Sequence, residues 1–399
     1  MNVKRKILFV NSSVSGGGAG KALIYLLRAL QKDHVESVVV LPADGVVGET
    51  IRNNGTAIRY LPWLPERFGK TQFSVPAYMR FKWVQSFLNI FLMPYFAWKV
   101  AKIAREENVD LICSNHQFNV PVSVAAGYFS GKKVAIYCRE YPEGFKARYF
   151  FRHVAELDVV EKVFTISNVS GELYNGLDKL ELLYDSYDFN DFGSHMPEPT
   201  FRKQYNIPGD KFVFGFMGRI IERKGVDFLI RAFAKMHKEH HNTHLAIVGG
   251  NDPGITYDLI SQYKQLAKEL GVEKDVTFTG FQKDVRAMST DFDVCVMPSL
   301  NPEPFGLVYL ESVICKIPCL VPDNSGASEA VIKSKNGVLF KAKDVDSLAQ
   351  TMSKVYVDRD NVKSSVEKTF NNVKHLFDTY EQSGNITKAF VNAAGGGRS

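Results

Sequence analysis

Two carboxylates, Glu303 and Glu311, stand eight positions apart in the stretch Asn301-Pro-Glu-Pro-Phe-Gly-Leu-Val-Tyr-Leu-Glu311, separated by a Pro-Phe-Gly turn. Pro304 suits the entry to a helix, and Gly306 admits a ligand close to the main chain, so the N–H groups of Gly306, Leu307 and Val308 form an anion site fit for a phosphate. Glu311 falls three and four residues after Val308 and Leu307, on the same helix face, and its side chain leans back toward that site. There it accepts hydrogen bonds from hydroxyls beside the phosphate, while Glu303 faces the same space from the preceding loop. Phosphate, hydroxyls and two carboxylates together suggest a nucleotide sugar. Taken alone, the same residues also describe a loop and a buried helix, with Leu307, Leu310, Val313 and Ile314 as its core stripe and two solvated glutamates.

Context separates these readings. The segment follows an apolar strand, Val294–Met297, and leads through Lys316-Ile-Pro-Cys-Leu-Val-Pro322 to Gly326-Ala-Ser-Glu-Ala-Val331. Strand, glycine-bearing turn and helix in that order make the βα unit in which open α/β sheets bind ligands at the carboxyl ends of their strands.

Short apolar runs alternate with amphipathic helices along the whole chain, and its 399 residues suit two domains. The first half opens with strand Ile7–Val10, the turn Gly16-Gly-Gly-Ala-Gly20 and a helix with Leu23, Leu26, Leu27 and Leu30 on one face. Further strands are expected at Val38–Leu41, Asp110–Cys113, Val134–Tyr137 and Val163–Ile166. The second half restarts at Phe212–Met217 and continues with His244–Val248, Val276–Thr279, Val294–Met297 and Cys319–Val321. Both halves read as doubly wound α/β domains, 1–190 and 206–375, joined by a polar, proline-bearing linker over 191–205. Helices are expected within Ser347–Asp378. Residues 376–399 form a C-terminal element that returns to the first domain or remains a tail, disordered over Ala393–Ser399. Ligands of such two-domain proteins bind in the central cleft that the domains face.

A hydrophobic fraction of 45% and a charged fraction of 23% are those of an ordinary globular protein. The net charge of +6 favours anionic ligands mildly, and no basic, aromatic-interleaved motif for nucleic acid accompanies it. Five cysteines, mostly in apolar runs, read as reduced core thiols of a cytoplasmic protein, and no His or Cys cluster has metal-ligand spacing. The first ten residues read as a strand, not a signal peptide.

Over the second half, Gly218-Arg219-Ile-Ile-Glu-Arg-Lys224-Gly225, Ile247-Val-Gly-Gly250, Gly280-Phe281, Pro298-Ser299, the Glu303/Glu311 pair and Gly326-Ala-Ser-Glu329 resemble the C-terminal half of family 4 glycosyltransferases. The first half is similar only through its strand, Gly16-Gly17 turn and helix. The resemblance implies a GT-B fold of two Rossmann-like domains and an enzyme that transfers sugar from a nucleotide-sugar donor, UDP- or GDP-linked, with retention and without a cofactor or essential metal. It implies catalytic roles for Arg219, Lys224 and Glu303, with the two cations receiving the charge of the departing phosphate. Glu311 is similar to the residue that holds the donor ribose. The donor site would be completed by Gly16, Gly17, Gly250, Phe281 and the amides of Phe305, Gly306, Leu307 and Val308. Arg223 reads as surface, and a tight strand-to-helix turn is an equal explanation of the adjacent glycines.

Other motifs fail or stay open. A phosphate-binding P-loop over Ser15–Ala22 lacks its first glycine and its final Ser/Thr. Asp291-Phe-Asp293 imitates a metal-binding DxD but immediately precedes a strand and reads as surface. The histidine that many relatives carry at the end of a first-domain strand falls on Asn115, with His116 one place later, so either is a candidate contact for the donor sugar or the acceptor. Tyr78–Arg105 and Lys146–His153 mix aromatic and basic residues. They are read equally as helices packed on the first domain and as a peripheral contact with the inner face of a membrane, in which case the acceptor is a lipid-linked saccharide of surface polysaccharide synthesis. Two rivals remain: a catalytically silent GT-B subunit, and an isomerase of the nucleotide-sugar 2-epimerase kind.

Overall fold

Strands buried on both faces need near-continuous apolar runs, and the runs identified above become the centres of two parallel sheets. The computed structural model describes residues 5–14, 16–62, 82–140, 144–191, 197–251, 258–282 and 284–396. Ser15, Lys283, residues 192–196 of the expected linker and the side chains of Trp83 and Phe87 lie outside the described residues.

The first unit comprises residues up to Asp188 together with those from Phe377 onward. Its strands are β1 (Lys6–Val10), β2 (Glu36–Leu41), β3 (Ala57–Tyr60), β4 (Leu111–Ser114), β5 (Lys133–Cys138), β6 (Val160–Thr165) and β7 (Leu180–Leu182), in the order β3-β2-β1-β4-β5-β6-β7. The helix Gly18–Lys32 buries Leu23, Leu26, Leu27 and Leu30, each worth about 1.5–3 kcal/mol when fully removed from water. The C-terminal helix Ser383–Val391 belongs to this unit: Phe390 is fully buried and its ring lies 5.7 Å from that of Phe9 and 4.9 Å from that of Phe164. The expected disordered tail is corrected over 393–396, where the chain continues as a turn that breaks helical geometry at Gly395 and buries Ala393, while residues 397–399 lie outside the described residues.

The second unit, Phe189–Leu376, contains β8 (Phe212–Met217), β9 (Thr243–Val248), β10 (Val276–Gly280), β11 (Val294–Val296), β12 (Cys319–Pro322) and β13 (Val338–Phe340), ordered β10-β9-β8-β11-β12-β13. In both sheets the chain builds outward on one side of the first strand, then crosses to the other. The resulting switch points lie between β1 and β4 and between β8 and β11, the places where open α/β sheets leave a crevice at their carboxyl ends.

Residues 197–205 differ from the free linker expected. Thr200 N–H donates to the Ala287 carbonyl at 3.0 Å, and Phe201 is buried against Phe292. The Asp291 and Asp293 pair also differs from its surface reading. Both carboxylates hold Arg202, and Asp293 accepts the Val213 main-chain N–H at 2.7 Å, so the pair fastens this segment to the amino ends of β8 and β11.

Candidate active site

The buried strand β8 delivers Gly218 and then the exposed Arg219 to the carboxyl edge of the second sheet. Main-chain bonds fix this edge: Gly218 N–H to the Val248 carbonyl at 3.0 Å, Ile220 N–H to that of Gly250 at 2.9 Å, and Gly249 N–H to that of Gly280 at 3.1 Å. Gly249 has φ +153°, and a Cβ there would stand 1.8 Å from the Gly218 carbonyl oxygen, so the two loops can approach only as glycines. Beyond Ile221 a single turn, Glu222–Lys224, ends at Gly225 with φ +67°.

On the other side of the switch point, the loop after β11 crosses this turn, with Leu300 N–H donating to the Arg223 carbonyl at 2.9 Å. The loop carries Glu303 inward, leaving the residue 6% exposed. Lys224 Nζ forms a short charged hydrogen bond with Glu303 Oε1, Ser299 Oγ donates to the same oxygen at 2.8 Å, and Arg223 Nη1 lies 3.5 Å from it. Burial pushes the Glu303 carboxyl toward protonation. The Lys224 ammonium, the Arg223 guanidinium and the Ser299 hydroxyl outweigh it, holding the group below the ordinary glutamate range. Glu303 is thus an ionised, buried carboxylate between two cations, and Arg223, read from sequence as surface, belongs to the cluster.

The helix that follows spans Leu307–Ile314. Pro304 is not at its first position as expected but three residues earlier, because Gly306, with φ +87°, takes the N-cap place. Gly326 N–H donates to the Glu303 carbonyl at 2.8 Å, and a Cβ on Gly326 would stand 1.9 Å from the Pro304 oxygen, so the next βα turn braces the loop. Leu307 and Val308 present first-turn amides, which have no acceptor within their own helix. Phe305 points its ring into the core, being 2% exposed, so only its main chain is available for a ligand. Glu311 is half-buried on the same helix. Gly250 and Phe281 lie side by side, and the Phe281 ring is 83% exposed.

In the first unit, Gly16 and Gly17 are exposed ahead of the helix Gly18–Lys32. Gly17 has φ −70°, and a Cβ on Gly16 would make only an ordinary contact with Val46. Asn115 and His116 are separated by their partners. Asn115 is fully buried, its Nδ2 donating to Asn11 Oδ1 at 3.1 Å and its Oδ1 accepting from Arg139 Nε at 3.2 Å, so both ends of the amide are used within the protein. His116 Nε2 lies 3.0 Å from Glu140 Oε1, and Nδ1 accepts weakly from Phe118 N–H at 3.5 Å. Arg139 also pairs with the buried Asp185, and its Nη2 is buried without a hydrogen-bond partner. Arg139 and Asp185 were missed from sequence, and Ser299 was noted within the Pro298-Ser299 motif without a role. Arg139 alone gave a usable sign, a charged residue directly after a buried strand.

Residues 197–372 match the model of the glycosyl transferases group 1 family. An uncharacterized glycosyltransferase of Methanocaldococcus jannaschii is 30% identical over 274 residues, 67% of this chain and 64% of that protein. A GDP-mannose-dependent alpha-(1-6)-phosphatidylinositol monomannoside mannosyltransferase of Mycolicibacterium smegmatis is 32% identical over 165 residues, 39% of this chain and 41% of its own length. The chain therefore aligns with less than two thirds of either relative. The structure of Anabaena HepE in complex with UDP and glucose superposes with a TM-score of 0.77 at 23% identity, covering 98% of this chain and 100% of that one. The chain is a two-domain α/β protein of the GT-B fold, and its residues 197–372 belong to the glycosyl transferases group 1 family.

Proposed function

We propose that the protein is a retaining, metal-independent glycosyltransferase that moves a sugar from a UDP- or GDP-sugar to a saccharide or lipid-linked saccharide in surface glycan synthesis. The observation that carries this reading is the Lys224–Glu303 pair at the β8/β11 switch point, on the loop edge that also bears Arg219 and four residues ahead of the helix whose first turn opens with Leu307 and Val308. As the bond from the sugar C1 to the diphosphate oxygen breaks, negative charge grows on the β-phosphate. Arg219, Lys224 and the amides are the donors that stabilise it, which is the reason for reading the chemistry as independent of metal. The acceptor oxygen bonds to C1 from the face the diphosphate leaves, and its proton passes to the phosphate oxygen. Glu311 holds the ribose hydroxyls. The named activity of the mycolicibacterial relative supports a nucleotide-sugar donor.

The donor is tested by the thermal midpoint against a panel of UDP, GDP, ADP and their sugars. A ligand at one hundred times its Kd adds about 2.7 kcal/mol to the folded state it binds. A selective rise with one base, lost in both Arg219→Ala and Glu311→Ala, is expected. No rise with any of them at millimolar concentration overturns the reading.

A lipid-linked acceptor is supported by the first unit's surface. No helix among the described residues is long and apolar enough to cross a membrane. The helix Lys82–Glu106 exposes Phe91, Tyr95 and Trp98 on one face, with Lys99 over the Tyr95 and Trp98 rings, and the helix Phe145–Glu156 exposes Phe145, Tyr149 and Phe150 among basic residues. Aromatic rings ringed by cations suit an anionic bilayer interface. Flotation with anionic vesicles is expected for the wild type and lost in a Phe91→Ser/Tyr95→Ser/Trp98→Ser variant. Wild type remaining with the unbound fraction counts against membrane contact.

A further inference from the structure

Two cations share one oxygen of Glu303. Lys224 is in direct contact, whereas Arg223 Nη1 stands 3.5 Å from the same Oε1 with its side chain 35% exposed, close enough to feel the charge and free enough to move. The arrangement carries one positive charge in excess, counted over Lys224, Arg223 and Glu303 alone. If a diphosphate engages Lys224, Glu303 is left with the Ser299 hydroxyl in a buried site, where an unpaired carboxylate is costly and tends to take up a proton.

We propose that Arg223 is a positioning residue, the reserve counter-ion of Glu303: when a diphosphate draws off the Lys224 ammonium, the Arg223 guanidinium closes onto the vacated carboxylate oxygen and keeps Glu303 charged and in place. This rests on the reading of the site as a nucleoside diphosphate site. The backbone is prepared for the exchange, since Leu300 N–H holds the Arg223 carbonyl at 2.9 Å and Gly225, whose Cβ would stand 2.2 Å from the Pro298 oxygen, seats the turn against the Glu303 loop. Only the side chain has to move. Arginine suits the task because it stays charged at all relevant pH values and offers several N–H donors in a fixed fork. The elements packed around Glu303 also carry Glu222 on the turn, Arg219 after β8, Glu311 on the helix Leu307–Ile314 and Glu329 on the helix Gly326–Ser334, and the test leaves all of them unchanged.

The test is calorimetric titration of the full chain with UDP, and with GDP and ADP in turn, at pH 6 in two buffers of different ionisation heat. The comparison yields the protons taken up per nucleotide bound. Proton changes on the nucleotide itself cancel between wild type and variant. Arg223→Met is expected to take up about half to one proton more than wild type, since Glu303 loses its second cation and neutralises on binding. Arg223→Lys should return uptake to near the wild-type value, and Arg223→Met combined with Glu303→Gln should abolish the excess. Equal uptake by wild type and Arg223→Met overturns the reserve role while leaving the nucleotide site intact. Absence of binding heat for wild type with all three nucleotides overturns the site reading itself and this inference with it.

Discussion

Lys224→Ala should lower turnover by about a hundred- to a thousandfold, the loss typical of removing one preorganised donor from a site of developing negative charge. Turnover is followed as release of nucleoside diphosphate from the nucleotide sugar that the binding panel selects. Lys224 is largely buried, with 18% of its side chain exposed, and the bound diphosphate turns its ammonium from Glu303 to the phosphate before the bond to the sugar breaks. A donor already in place needs no reorganisation as charge develops, and its removal falls on kcat more than on KM. The variant should still fold. Arg223 and Ser299 remain beside Glu303, so the buried carboxylate is not stranded. Arg219→Ala should also be strongly impaired, though its exposure gives the side chain more freedom to be replaced by water. Near-normal turnover in both variants would remove the catalytic assignment.

Arg219 and Lys224 were legible through the family resemblance of the Gly218–Gly225 stretch, which topology supports. Arg219 follows the apolar run Phe212–Met217, and the Glu303/Glu311 spacing straddles a glycine turn after another, so both fall at the carboxyl ends of strands. The nine interior strands were readable from their composition, since a strand buried on both faces must be apolar throughout, and the edge strand Val276–Gly280 was read from its alternating Val-Thr-Phe-Thr pattern. The three strands among the described residues that escaped, Ala57–Tyr60, Leu180–Leu182 and Val338–Phe340, are all at sheet edges, short and partly exposed, where that compositional demand lapses. Arg223 was misjudged on similar grounds. Its neighbours Glu222 and Lys224 look like a solvated turn, and only the crossing of a loop more than seventy residues later brings Glu303 to it. Long-range pairing of this kind leaves no local period in the chain. Residues 197–205 were taken as linker because proline and polar residues dominate there, yet one buried ring, Phe201, and one cation, Arg202, tie the segment down.

Arg139 shows what such a long-range pair contributes to stability, and Arg139→Leu should destabilise the first unit by about 3–5 kcal/mol. The guanidinium and the Asp185 carboxylate are both buried, with 2% and 6% of their side chains exposed. Leucine fills the space but leaves the carboxylate without its partner. Burial already raises the Asp185 carboxyl above the ordinary aspartate value despite Arg139, and losing the cation raises it further. A raised folded-state value means that the protonated form is the one favoured by folding, so the extra cost is small below the unfolded aspartate value and grows as pH rises through the folded one. The deficit measured by urea unfolding should accordingly be larger at pH 7.5 than at pH 4.5. Arg139→Leu/Asp185→Leu should recover most of it, because replacing both members of a buried pair removes two desolvation costs along with one attraction. About 1 kcal/mol should persist, since Asn115 Oδ1 loses the Arg139 Nε donor. If the double variant proves no more stable than the single one, Arg139 acts mainly through Asn115 and Tyr137, over whose ring its guanidinium sits at 4.1 Å, and the ion pair is incidental.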